Sequence, residues 1–349
     1  MLPNCNKVVK LLQPHNSEKI SDCFYSTDLK RVKQNLKCYN VDMKKIIFLG
    51  TSVFAQAILK DLVNTYEIAL VVTQPDRPTG RRQEIQYSAV KETALAYGLP
   101  LFQPEVLKED YQRVLSINAD QIISCAYGQY IPEAIIAKGV LNVHASLLPK
   151  YRGGAPMHRA IINGDKTTGI TLMKSGEKMD AGPIYCQKEI EIRDDDTVTT
   201  LQDRLIICAE ELLKEKLPAI IVKELPALPQ DEAEVSFAGT IKAADELIDF
   251  TRSYQAVYDQ IRGLLDWPVG YGKVEGRKLK IFAISKLEQE TTEDNGTIIG
   301  LIEDKLAIAV DHKLLGSKEV QAEGKKRMPA KEFMQGSGQR LIGKRFDEY

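Results

Sequence analysis

From Met43 onward the chain alternates between two hydrophobic periods. The run Ile46-Ile47-Phe48-Leu49 is continuously apolar and ends at Gly50-Thr51-Ser52. Phe54, Ala55, Ile58, Leu59 and Leu62 then recur at the spacing of one helix face. This is the pattern of a strand, a tight turn and a helix. A second apolar run at 68–72 follows a short connection. After it the pattern predicts a helix near 88–97, a short extended piece at Leu101-Phe102, a helix near 105–117 and a strand at 121–125. Continuous apolar strands that alternate with helices are what a sheet buried on both faces requires. The expected class is α/β, with a doubly wound parallel sheet.

The pattern changes twice more. Val198, Leu201, Leu205, Ile206, Leu212 and Leu213 mark an amphipathic helix over about 194–217. It opens on Asp194-Asp195-Asp196-Thr197, whose carboxylates suit the positive end of a helix. Pro218, Pro226 and Pro229 then break the periodicity. Beyond a helix near 253–264, short alternating segments at 278–284, 297–301, 307–310 and 314–320 are separated by Gly, Asp and Asn. Short strands at that spacing predict a small antiparallel β-barrel. Residues 1–42 show no sustained periodicity and are expected to be a loose extension or a misassigned start. The expected organisation is therefore an extension over 1–42, an α/β domain over 43–225, a linker over 226–240 and a barrel over 241–349.

With 349 residues, 44% hydrophobic and 27% charged, the chain is long enough for two domains and too apolar to be disordered. Its 47 Lys and Arg against 48 Asp and Glu exclude a uniformly cationic coat. The charge is unevenly spread: seven cations and four acids over 1–42, 22 and 26 over 43–234, 18 and 18 over 235–349. No CxxC pair occurs, which argues against a zinc ribbon or thioredoxin chemistry, and no metal site is expected. No apolar run approaches the roughly 18 residues of a membrane helix. A cytoplasmic, monomeric protein with no membrane partner is the expectation.

The chemistry concentrates near Val140-Leu141-Asn142-Val143-His144. In a strand, Asn142 and His144 point to one face, about 7 Å apart. The segment from Ser146 to Pro156 follows, with two prolines and two glycines around Arg152, a composition that no regular element accommodates. It reads as a shaped loop at the carboxyl end of a strand, where open α/β sheets place their sites. Asp180, in Met179-Asp180-Ala181-Gly182-Pro183, is positioned to hold the imidazole of His144 cationic if the fold brings them together. An amide, an imidazole and a carboxylate suit acylation of an amine. Asn142 and protonated His144 would donate to the tetrahedral oxyanion, and Asp180 would take the amine proton. No Ser or Cys nucleophile elbow is present, so transfer is expected to be direct.

Several stretches together resemble the methionyl-tRNA formyltransferases. They are Phe48-Leu49-Gly50-Thr51, Thr73-Gln74-Pro75-Asp76-Arg77-Pro78, Asn142 through Pro149, Arg152-Gly153-Gly154-Ala155-Pro156, Ile261-Arg262-Gly263 and Trp267-Pro268. The resemblance spans 43–349. It implies a Rossmann-like formyltransferase domain followed by an OB-like barrel. It also implies 10-formyltetrahydrofolate as co-substrate and initiator methionyl-tRNA as acceptor, in translation initiation. Catalytic roles are implied for Asn142, His144 and Asp180. Folate contacts are implied for Ser146, Leu147, Leu148 and Pro149, with Tyr127 and Gly128 beside the pterin.

The family approaches the tRNA acceptor end with the loop that here holds Arg77, Arg81 and Arg82. Gly80-Arg81 matches, but Arg82-Gln83-Glu84 stands where the family commonly has a lysine pair. Lys273, Arg277, Lys278 and Lys280, then Lys325, Lys326 and Arg327, are further candidates for phosphate contacts. The nearest alternative is a folate-dependent formyltransferase acting on another amine, such as that of a nucleotide-sugar; the arginine loop and the second domain disfavour it. A nicotinamide-dependent dehydrogenase is disfavoured because Gly50-Thr51-Ser52-Val53-Phe54-Ala55 lacks G-x-G-x-x-G. A non-enzymatic RNA-binding module would have no need of Asn142, His144 and Asp180.

Overall fold

The computed structural model describes residues 43–79 and 84–347. Arg81, Arg82 and the expected extension over 1–42 lie outside the described residues. The first domain begins with Lys45–Gly50 (β1), which runs into Val53–Leu62 (α1) through a turn whose Ser52 side chain accepts from Ala55 N. Glu67–Val72 (β2) follows, then a small hairpin of Arg77–Thr79 (β3) and Glu84–Gln86 (β4). Next come Ala89–Ala96 (α2), Leu101–Phe102 (β5), Gln112–Leu115 (α3), Gln121–Cys125 (β6), Glu133–Ile136 (α4) and Val140–His144 (β7). Pro156–Ile162 (α5), Thr167–Lys174 (β8), Ile184–Glu191 (β9) and Val198–Ile221 (α6) complete the domain.

The strands form one sheet in the order β5-β2-β1-β6-β7-β8-β9. Its first five strands are parallel, and helices cover both faces, as the apolar runs predict. Ile46 and Phe48 join the cluster that includes α1 and α6, while Ile47 and Leu49 join the opposite cluster with Val114 and Ile135. Strands β8 and β9 add antiparallel to the β7 edge. Strand β9 is half-solvated, as an antiparallel edge strand can be.

Three boundaries differ from the sequence pattern. The helix expected near 105–117 shrinks to α3, because Gln129 Oε1 takes the Leu107 N–H at 2.8 Å and the chain there turns instead. The helix expected over about 194–217 starts at Val198, after a Thr197 cap, and continues past Pro218. A proline in the last turn forfeits only a hydrogen bond near the fraying end, and Leu217 and Ile220 remain buried. The segment 226–240 lies on the first domain, bridging Leu228 to Ile184 and Phe237 to Arg152.

The second domain holds Tyr254–Arg262 (α7), Tyr271–Val274 (β10), Arg277–Glu290 (β11), Ile298–Ile302 (β12), Lys305–Val310 (β13), Lys313–Ala322 (β14), Met328–Pro329 (β15) and Ala330–Gln335 (α8). Its strands pair antiparallel in the order β10-β11-β14-β13-β12. The C-terminal tail covers both edges: Ile298 N donates to Lys344 O at 2.8 Å and Asp347 N to Lys273 O at 2.6 Å. Strand β10 carried no periodic signal, because Gly272 leaves its place in the core to the ring of Phe346.

Helices α5 and α7 join the domains. Arg159 forms a two-point pair with Asp245 at 3.0 and 2.9 Å, and His158 Nδ1 donates to Gly263 O at 2.8 Å. Burial lowers the His158 pKa below 6.5, against the opposing effect of that hydrogen bond. Because the folded value lies below the unfolded one, this stability is complete above pH 6.5 and is lost as the pH falls through the folded value. The melting temperature should therefore drop as the pH falls below about 6.5, and His158→Asn should flatten the slope. An unchanged slope in thermal melts of the variant would contradict this. Among the described residues no helix is long and apolar enough to cross a membrane. Nor does any group of three or more His, Cys, Asp or Glu stand placed to hold a metal.

Candidate active site

Strand β7 carries Asn142 and His144 on one face, two residues apart, and ends in the loop 145–155. His144 is buried, and its Nε2 lies 2.9 Å from Tyr151 O. A carbonyl can only accept, so Nε2 carries the hydrogen and Nδ1 faces outward. Asp180 arrives from the loop between β8 and β9. Its Oδ2 lies 3.7 Å from His144 Nδ1 and accepts from Gly153 N at 2.9 Å, while Oδ1 accepts from Asn142 Nδ2 at 3.4 Å. A carboxylate that accepts from both neighbours fixes the Asn142 amide with its nitrogen inward. The three candidate catalytic residues thus form one cluster at the carboxyl end of β7.

Backbone geometry makes that meeting possible. A side chain at Gly182 would put Cβ 1.8 Å from Lys174 O, and without one Pro183 O accepts from Lys174 N at 2.8 Å. Gly153 has φ +127°, and a Cβ there would sit 2.6 Å from Ala238 O. Asp180 itself is in the left-handed region at φ +52°. Its carbonyl accepts from Gln230 Nε2 at 2.7 Å, and Gly182 O accepts from the same nitrogen at 2.8 Å. The Arg152 Nε and Nη2 donate to Gln230 Oε1 at 3.0 and 2.9 Å, and Glu232 pairs with the buried guanidinium at 2.8 Å. Ser236 Oγ accepts from Tyr151 N at 2.9 Å. Sequence reasoning missed Gln230 and Ser236 because both lie in a proline-punctuated stretch without period. Arg152 was visible as a cation in a glycine-rich loop and within a stretch that resembles the family, without a partner assigned to it.

Residues 44–217 match the family model described as formyl transferase, and 240–338 match its C-terminal domain. The methionyl-tRNA formyltransferase of Staphylococcus aureus strain MW2 is 41% identical over 309 residues, 87% of this chain and 99% of the relative. The chain belongs to the methionyl-tRNA formyltransferase family. It is a formyl-transferring enzyme. Two solved structures share the fold. One is HypX from Aquifex aeolicus in complex with tetrahydrofolic acid, with TM-score 0.63 at 16% identity; it matches 88% of this chain, which spans only 49% of HypX. The other is the N-formyltransferase from Helicobacter canadensis in complex with folinic acid and dTDP-3-aminofucose, with TM-score 0.61 at 18% identity over 80% of this chain and 99% of that one.

The remaining residues that resemblance to the formyltransferase family singled out are placed unequally. Ser146 and Leu148 are buried: Ser146 Oγ donates to Lys150 O at 2.7 Å, and Leu148 N donates to Thr171 Oγ1 at 3.1 Å. They shape the loop, and Leu147 and Pro149 keep its half-buried surface. The Tyr127 ring belongs to the buried cluster of Leu49, Val72, Leu107 and Ile135, and burial pushes its hydroxyl pKa up. Its backbone carbonyl accepts from Thr51 Oγ1 at 2.7 Å and from Gln74 Nε2 at 3.2 Å, and Gly128 beside it lies against the Gln74 amide.

Arg77 is exposed on β3. The base of its hairpin is tied by Asp76, which pairs with Lys91 and accepts from Gln103 Nε2 at 2.9 Å. Although burial opposes it, these two donors hold the Asp76 carboxyl below its ordinary pKa. Lys325, Lys326 and Arg327 are exposed in the turn between β14 and β15, and Arg327 pairs with Glu319 and stacks over Phe282 at 4.2 Å. They lie on the barrel, apart in sequence and element from the β7 cluster.

Proposed function

We propose that this enzyme transfers the formyl group of 10-formyltetrahydrofolate to the amino group of methionine on initiator methionyl-tRNA, for translation initiation, by direct attack of the amine. The observation that carries the chemistry is the convergence of Asn142 and His144 on Asp180, within 3.4 and 3.7 Å. The acceptor is inferred from the 41% identical relative, matched over 99% of its length, second domain included.

The residues present fit a formyl donor. When bound, 10-formyltetrahydrofolate supplies a carbonyl carbon open to attack by an amine. Asn142 Nδ2 bears two N–H groups and commits one to Asp180, so the other can meet the carbonyl oxygen as charge develops on it. His144 keeps Nε2 on Tyr151 O and leaves Nδ1 to donate to that oxygen when protonated. This narrows the sequence expectation to a single ring nitrogen. The neutral amine attacks, and the Asp180 carboxylate receives the proton that its nitrogen must then lose, directly or through water; as the tetrahedral centre collapses, the bond from the formyl carbon to the folate nitrogen breaks and that nitrogen takes up a proton, releasing tetrahydrofolate. Leu147 and Pro149 present apolar surface against which a flat ring packs.

Recognition of tRNA is assigned to Arg77 on β3, to Arg81 and Arg82, which follow it in the sequence, and to Lys325, Lys326 and Arg327 of the second domain. Arg81→Ala should raise the KM for methionyl-tRNA about fivefold, one phosphate contact's worth, and leave the KM for the folate unchanged. Steady-state kinetics with each substrate varied in turn checks this. An equal rise in both KM values would contradict it.

A further inference from the structure

The segment between the domains sends one side chain into the catalytic loop. Gln230 Nε2 donates to both Asp180 O and Gly182 O, at 2.7 and 2.8 Å, so it grips the turn on either side of Ala181. The amide cannot be reversed. Arg152 only donates, and its Nε and Nη2 both reach Gln230 Oε1, so Oε1 must face the guanidinium and Nε2 the carbonyls. Arg152 is itself fixed, buried, paired with Glu232 and hydrogen-bonded through its backbone to Ser236 O and Ala238 N at 2.9 and 2.7 Å.

We propose that Gln230 is a positioning residue for formyl transfer, holding the left-handed turn at Asp180 so that its carboxylate stays between Asn142 and His144. This rests on the function proposed above. Asp180 needs such a hold. A non-glycine residue at φ +52° is kept there only by its surroundings, and Glu177, Lys178 and Met179 just before it are exposed. The Asn142 and His144 contacts, at 3.4 and 3.7 Å, are too long to hold the loop by themselves. Among the described residues only Gly153 N, at 2.9 Å, grips the carboxylate closely, and it is carried by the same loop that Arg152 anchors.

Two variants and a double-mutant cycle test this. Gln230→Ala removes the grip. Gln230→Glu keeps an acceptor for Arg152 but sets a carboxylate against two carbonyl oxygens. Each should lower the single-turnover formylation rate about 10- to 100-fold, the scale of an ångström-sized misplacement, with KM for both substrates changed by less than about twofold. In an Asp180→Ala background, Gln230→Ala should cost no further rate. Wild-type rate in the Glu variant, or a full additional loss in the Asp180→Ala background, would overturn the proposal, since Gln230 would then act elsewhere. If the unmodified enzyme formylates a different amine, the acceptor assignment fails and the same cycle, run on that amine, still decides the role of Gln230.

Discussion

Asp180→Ala should lower the turnover of formyl transfer at least about 100-fold while the protein stays folded. Its carboxylate has three neighbours in the cluster: it accepts from Asn142 Nδ2 and Gly153 N, and it faces His144 Nδ1. Removing it frees the Asn142 amide to turn, leaves the imidazole without its anionic neighbour and deletes the acceptor for the amine proton. The side chain is 14% exposed at the site mouth and packs in no apolar cluster, so its loss opens no core cavity. Asn142→Ala should cost a similar factor, because it removes the amide donor that the proposed mechanism gives to the developing oxyanion. Single-turnover rates alongside thermal melts separate chemistry from folding. Turnover near that of the unmodified enzyme in either variant would contradict these roles.

Arg262→Ala should cost about 3–5 kcal/mol of stability, the typical effect of breaking one side of a buried ion pair. Arg262 and Asp259 are 2% and 3% exposed, with Nε 2.6 Å from Oδ1. The guanidinium also crosses the domain boundary, donating through Nη1 to Arg193 O at 3.1 Å and Asp196 O at 2.7 Å. The variant therefore strands a buried carboxylate, relieved among the described residues only by Gln255 Nε2 at 2.9 Å, and takes from two backbone carbonyls the guanidinium that donates to them. Urea unfolding measures the loss, and a change below about 1 kcal/mol would show that water replaces the guanidinium without penalty. Arg262 stood out in the sequence only within Ile261-Arg262-Gly263, and its neighbours identify it as a clasp between the domains. Gly263, the next residue, serves the same boundary by accepting from His158.

The strands of the first domain were legible because a parallel strand buried on both faces is continuously apolar, and Ile46–Leu49 and 68–72 are so. The reversal of direction at β8 and β9 was less visible, since direction depends on the connection rather than on the strand. The loop 175–183 is too short for a parallel crossover, and that length is the sequence signal for the antiparallel pair. That Asn142 and His144 share one face was legible from period two, and the loop after them and the family resemblance made them candidates. Asp180 taken alone reads as a turn residue and was tied to His144 by charge and by the family resemblance, while Gln230 had no signal at all. A side chain that works by reaching two carbonyls across the structure leaves no mark on periodicity. The helix expected near 105–117 failed for a similar reason: a distant side chain, Gln129, competes for a backbone N–H that the local pattern assigns to the helix.

The most direct test is an acceptor competition. The enzyme is incubated with labelled 10-formyltetrahydrofolate and a mixture of initiator methionyl-tRNA, elongator methionyl-tRNA and a nucleotide-linked amino sugar, in parallel with Asp180→Ala. Label is expected on the methionine amino group of initiator tRNA, with its loss in the variant. Label on the sugar amine instead, or undiminished labelling of tRNA by Asp180→Ala, would contradict the proposed reaction.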